Sequence, residues 1–443
     1  TTITTITTGS LGLGGAHRLQ PGRSLCQKGW KKPRAAVPKI PEGAASPGVA
    51  LSDPEEREEL WDLRERNRLD TSPEDWELLS SLRGTYYLNG LASVKVGSRL
   101  VHPFEAHGFL RSIEFHGDGM ATYRASYVHT LCESLERSVK TPLFRGVFSN
   151  VVDFDSPLGL LNSISPGTRD TANLACRFWP PPGQTPATSS RSPQLIASGD
   201  NGTPMVLDPR TLSSQGALDF EGLGGRKWLA HTRYDAACGR VVFASCTFEP
   251  SLEGGMSTRL DFREYDTQGV LVAETSHTTG FMVMHDWIIT PNFYVVPKNP
   301  AKLDPAGLAQ FLAGLAQGTK VFNMEEDISS SVLLIPRVVG TGEAQEVQFD
   351  RFLNIFHVCP TWEEEADGKL IMHAVAFDSY EFGREMGFDV KLQDFDPIKW
   401  SAGERNPAPR LHRFTPPGRK SSILARVAVV VVVVVVVDIV ECV

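Results

Sequence analysis

From Gly84 onward, apolar residues fall in short runs of four to nine positions separated by turn signals. Arg240–Ser245, Phe281–Ile289, Asn292–Val296 and Val332–Ile335 are such runs, rich in β-branched and aromatic side chains. That pattern predicts strands. The breaks carry turn chemistry: Asp200-Asn201-Gly202, Leu207-Asp208-Pro209, Cys238-Gly239 and Asp367-Gly368. Strands do not alternate with helical stretches, which disfavours a parallel α/β sheet. Many short strands over so long a stretch predict an all-β fold, and a propeller suits them better than a sandwich.

Two segments break this pattern. Leu308, Phe311, Leu312 and Leu315 recur at helical spacing, predicting a helix within Lys302–Gly318 that lies outside the strands, over one face. Residues 53–82 are acidic and open on Pro54 and Glu55, predicting a surface helix. Gln184–Pro193, rich in Thr, Ser and Pro, reads as a surface loop.

The ends differ from the body. Residues 1–41 hold no Asp or Glu but carry Arg18, Arg23, Lys28, Lys31, Lys32, Arg34 and Lys39. A basic, hydroxyl-rich, acid-free leader is the composition of an organelle transit peptide. Val429–Val437 are nine consecutive valines, too few for a membrane span of about 20 apolar residues. The expected organisation is a leader at 1–41, an acidic helical segment at 42–83, the main domain at 84–420 and an aberrant valine tail at 421–443. Net charge is −8 and basic residues do not cluster beyond the leader, so no nucleic-acid partner is expected. Seven widely spaced cysteines without a CxxC pair argue against a disulfide framework or a thiolate zinc site.

Candidate chemistry rests on histidine. His285 and His357 sit inside apolar runs and His231 at the edge of one. A buried imidazole needs partners for its nitrogens. Metal ligation on one nitrogen is one solution, and backbone carbonyls are the commoner one. The gaps are 54 and 72 residues, so no local motif could build a shared site, although a radial scaffold could. By strand alternation His357 should share a face with Leu353, Ile355 and Cys359, and His285 with Val283 and Trp287. Asp286 points away from His285 and is not a co-ligand. His102 and His107 sit in a Pro- and Gly-containing loop, where a structural or entrance role is expected. Hydrolase, P-loop and HExxH motifs do not occur, and Gly222–Arg226 reads as a turn.

Several motifs together resemble the carotenoid cleavage oxygenase family. They are Tyr86-Tyr87-Leu-Asn89-Gly90, His102-Pro103 through His107-Gly108, Arg169-Asp-Thr-Ala-Asn173 and Gly202-Thr-Pro204 through Leu207-Asp208-Pro209. Ala230-His231, Met284-His285-Asp286 and Phe356-His357 resemble the family's first three iron-ligand motifs. Met284-His285-Asp286-Trp287 and Lys302-Leu303-Asp304 most resemble the plastid branch that cleaves at the 9′,10′ double bond in strigolactone synthesis. The resemblance implies a seven-bladed β-propeller with Fe²⁺ on its axis. It implies His231, His285 and His357 as ligands, and an O₂-dependent cleavage of a carotenoid into two carbonyl products. It also implies an apolar entrance at a membrane or plastoglobule surface and a plastid location. An isomerase, or a carotenoid-binding propeller without catalysis, are the alternatives on the same scaffold.

Two departures stand out. Asp200 occupies the place of the family's outer Glu, and the shorter side chain is expected to hold its histidine less firmly. The fourth histidine, in a Gly-Phe-His-Gly block, is not present in this sequence, and His412 lies in a context that matches a structural strand. The chain is therefore expected to be incomplete as an enzyme.

Overall fold

A computed structural model of the chain describes residues 54–66, 72–92, 95–96, 99–148, 168–180, 192–200, 202–251, 255–338, 340–364, 369–377 and 410–414. The leader, the valine tail and most of the 184–193 loop lie outside the described residues. The fold is mostly β, as the run pattern predicts. Among the described residues, strands assemble into antiparallel sheets, four with four strands, one with three and two with two. The first sheet joins Arg57–Asp62, Met120–Tyr127, Gly108–His116 and Arg83–Leu91. The second holds Ala175–Trp179, Gln194–Ser198, Met205–Leu207 and Ser214–Ala217. The third holds Arg233–Asp235, Arg240–Pro250, Met256–Tyr265 and Leu271–Gly280. The fourth is Ile288–Ile289, Phe293–Lys298, Ser331–Pro336 and Gln345–Gln348, and the fifth is Asn354–Glu363, Leu370–Phe377 and Arg410–Phe414.

Each sheet packs on the next through both faces, because neighbouring strand residues point to opposite sides. On Arg240–Pro250, Val241 and Phe243 enter a core shared with the second sheet. Val242 and Ala244, the alternate positions, enter a core shared with the fourth. On Phe293–Lys298, Tyr294 and Val296 face the third sheet while Val295 faces the fifth. The unbroken apolar runs are thus sheets buried on both sides. Phe243 is fully buried, which is worth about 1.5–3 kcal/mol by area transfer.

Three sequence expectations change. Arg57–Asp62, read as helical, is an edge strand in register with Met120–Ala125. Its acids serve cross-strand: Glu58 pairs with Arg124 at 3.1 Å, and Trp61 stacks on Tyr123 at 4.4 Å. Sheet pairing overrides the local helical signal there; helix follows as the short turn Leu63–Arg66 and then as Pro73–Ser81, capped by the Ser72 side chain. The 302–318 helix is shorter, Pro305–Leu312, capped by Asp304. It sits between the paired strands Ala301–Leu303 and Phe322–Met324. Of the run Phe281–Ile289, only Ile288–Ile289 is strand.

One helix has no counterpart in the sequence expectations. Leu131–Val139 is capped by Thr130, whose Oγ1 accepts from Glu133 N at 3.1 Å. It buries Glu133 and Glu136 while Leu131, Leu135 and Val139 are exposed.

Candidate metal centre

His231 lies just before Arg233–Asp235, His285 just before Ile288–Ile289, and His357 within Asn354–Glu363. Each of these is the first strand of its sheet, and the three strands are neighbours. The packing of successive sheets therefore brings together residues that the sequence keeps far apart. Nε2 of His285 lies 3.2 Å from Nε2 of His231 and 3.3 Å from Nε2 of His357. Ligand atoms of all three histidines fall within 4.8 Å of one another. Among the described residues, no acidic or thiol side chain joins this group.

A bulge aims His357. In the pairing with Leu370–Phe377 the register shifts between Ile355 and His357, leaving Phe356 as the extra residue. Ile355 and Val358, three positions apart, both enter the core toward the fourth sheet. His357 therefore does not follow the face of Ile355, contrary to simple alternation. Phe356 instead stacks on the His285 ring at 4.1 Å and fixes its plane.

Asp200 reaches its histidine despite its length. Its Oδ2 lies 2.6 Å from His285 Nδ1, and its Oδ1 accepts from Ala230 N at 3.0 Å. The carboxylate thus holds one of the three histidines directly and the residue before another. Of the three histidines, only His285 has a carboxylate on its second nitrogen among the described residues. Burial lowers the His285 pKa, but Asp200 outweighs it and the net direction is up. Burial pushes His231 down to about 4. Burial and then the neighbouring His285 push His357 down to about 3. Both are neutral near pH 7, the form that ligates metals. With its Nδ1 proton on Asp200, His285 presents a lone pair at Nε2.

Asp286 stays out of the centre and turns to other partners. It accepts from Val358 N at 2.8 Å and forms an ion pair with Arg233. One carboxylate, on the residue after His285, thereby ties Arg233, two positions after His231, to Val358, the residue after His357.

The centre forms part of the wall of a cavity of about 260 Å³. Apolar side chains dominate the lining, among them Phe104, Phe148, Leu174, Leu229, Met284 and Phe322. Arg169, Thr171, Asn173 and Glu105 add a polar patch. His102 and His107 frame this region as structural residues. His102 Nδ1 accepts from Phe104 N at 3.1 Å. His107 bonds Glu136 Oε2 at 2.9 Å, and Arg169 donates to both Glu136 oxygens at 2.9 and 3.0 Å. Burial alone would raise the Glu136 pKa, but Arg169 and His107 outweigh it and hold the carboxyl at about 2. Sequence reasoning missed this network, because its members at 107, 136 and 169 share no motif. The only signal was a pair of acids on the buried side of a helix.

Similarity to known proteins agrees with this architecture. The chain is 26% identical over 324 residues to apocarotenoid-15,15′-oxygenase of Synechocystis, covering 70% of this chain and 61% of that protein. It is 25% identical to the rice protein named carotenoid cleavage dioxygenase 7, chloroplastic, covering 72% and 59%. The chain thus spans about 60% of the length of these relatives. The structure of cobalt-substituted Synechocystis ACO superposes with TM-score 0.63 at 24% identity, covering 82% of this chain and 68% of that one, a match of fold. The model of the family described as RPE65, retinal pigment epithelial membrane protein, matches residues 78–425, and the chain belongs to that family.

Proposed function

We propose that this chain is the larger part of an Fe²⁺-dependent dioxygenase that cleaves a double bond of a carotenoid or apocarotenoid. The observation that carries the proposal is the convergence of three imidazole nitrogens on the wall of an apolar cavity. The donor set fits the metal: neutral imidazoles suit Fe²⁺, and His285 has the outer carboxylate that ligating histidines commonly have. Fe²⁺ held by His231, His285 and His357 would supply the activation of O₂. Both oxygen atoms are consumed, one in each carbonyl product, so no organic cofactor is needed. Asp200 keeps the His285 proton on Nδ1, Phe356 fixes the ring, and the cavity's apolar side chains hold the polyene and exclude water.

Finer assignments extend this proposal. The family resemblance supports a seven-bladed propeller. The acid-free leader and the chloroplastic rice relative support a plastid protein of the 9′,10′-cleaving branch in strigolactone synthesis. The segment over the cavity supports peripheral docking on a membrane or plastoglobule. Leu312 and Leu315 there are 56% and 74% exposed, while Thr319 and Phe322 line the cavity.

The test is anaerobic reconstitution with Fe²⁺, followed by apocarotenoid and O₂. Two shorter carbonyl products with matching O₂ uptake are expected. An isomer of unchanged mass would replace cleavage by isomerisation, and bound pigment with no O₂ uptake would leave only a carotenoid-binding protein.

A further inference from the structure

The residue after each of the three histidines ties its segment to the preceding sheet or to the residues leading into it. Val358 N donates to Asp286, and Asp286 pairs with Arg233. Thr232 receives Arg177 of the second sheet, whose Nε donates to the threonine Oγ1 at 3.0 Å and whose Nη2 donates to the threonine carbonyl at 2.9 Å. The two arginine links are alike in position but not in charge. Arg233 meets a carboxylate at the place after the histidine, whereas Arg177 meets a hydroxyl. Among the described residues no carboxylate pairs with Arg177, and the strongest charge acting on it is a second cation, Arg233.

Arg177 lies in a recess. It is half-buried, so water reaches it. Yet desolvation first and Arg233 second pull its pKa down to about 10, a penalty that an arginine on an open surface does not carry. A guanidinium has five N–H groups, and Thr232 engages only two of them. Nη1 bonds nothing among the described residues and, unlike Nη1 of Arg169, is not sealed from solvent. The edge formed by Nη1 and Nη2 is the fork that takes a planar oxyanion through two parallel hydrogen bonds. A desolvated cation without a counter-charge costs free energy that such an anion offsets. Arg177 is not among the residues that line the apolar cavity, so the anion would not compete with a ligand there.

We propose that Arg177 holds a small carboxylate-type monoanion, such as formate or bicarbonate, in the role that Asp286 fills for Arg233. The site depends neither on a bound metal nor on cleavage of a polyene. The experiment is titration of the full chain with ¹³C-formate at constant ionic strength, read as broadening of the formate resonance. Saturable broadening is expected. Arg177→Lys keeps the charge but removes the fork, and should weaken binding about tenfold or more. Thr232→Asp supplies the missing carboxylate from the chain itself and should abolish binding with Arg177 still in place. Because it adds a partner instead of removing one, it separates loss of the site from loss of the fold, which circular dichroism checks. No saturable broadening in the wild type, or broadening that survives Thr232→Asp, would overturn the site. Displacement of formate by an equal concentration of chloride would overturn the forked, carboxylate-type assignment.

Discussion

Asp200→Asn isolates the carboxylate that, among the described residues, bonds one of the three histidines directly. The side chains are nearly isosteric, so packing is retained. In the wild type the two oxygens accept from His285 Nδ1 and Ala230 N at 2.6 and 3.0 Å. An amide has only one acceptor oxygen. If it serves His285, the amide nitrogen confronts the Ala230 N–H. If it serves Ala230, the amide nitrogen donates to His285 Nδ1 and drives the imidazole proton to Nε2, the nitrogen that faces the other two histidines. A hydrogen bond to a charged group is worth about 1.5–3 kcal/mol, equivalent to roughly 10–150-fold in an equilibrium constant. That range agrees with the roughly 10–100-fold typical of outer partners of metal ligands. The assay is anaerobic calorimetric titration with Fe²⁺, with the visible spectrum of Co²⁺ as a second readout of coordination. An Fe²⁺ affinity of the Asp200→Asn variant within about twofold of wild type would refute the idea that Asp200 orients His285, since the lost term alone is worth about tenfold or more.

Two further predictions concern stability and docking. Glu136 falls from 4.5 to about 2 on folding, so its contribution of roughly 3 kcal/mol is present above pH 4.5 and is lost as pH falls toward 2. Glu136→Gln should flatten the acid limb of a melting-temperature profile and cost about 3–5 kcal/mol at neutral pH by stranding Arg169; an unchanged acid limb would show that the network is not what holds this wall. Leu315→Asp should cut co-sedimentation with anionic lipid vesicles about tenfold or more, given the apolar transfer energy of one leucine. Unchanged sedimentation would remove the 305–321 segment from any docking surface.

The strands of the core were legible because their runs are apolar on both faces, as in Arg240–Pro250. The convergence of the three histidines was legible through motif resemblance and not through spacing, since only the ordering of the sheets closes gaps of 54 and 72 residues. The strand Arg57–Asp62 was misread because its acids suit a helix start as well as they suit Arg124 across a ladder. The bulge at Phe356 leaves no mark in the sequence, yet it decides where His357 points. The Glu136 network escaped for a related reason: its helix hides carboxylates and shows leucines, the reverse of the usual amphipathic order.

The placement of the three histidines on or just before the first strands of three successive sheets would make a bound ion a strut as well as a reagent. In the unfolded chain, gathering the same ligands would mean closing two long loops, an entropic cost that folding has already met. An ion that binds only the folded arrangement stabilises it by an amount that grows with the logarithm of its concentration. Iron scarcity would then shorten the protein's lifetime before it limited catalysis, because the third, fourth and fifth sheets would open more often to proteases. A cell could thus match the amount of such an iron-binding protein to its iron supply with no dedicated sensor.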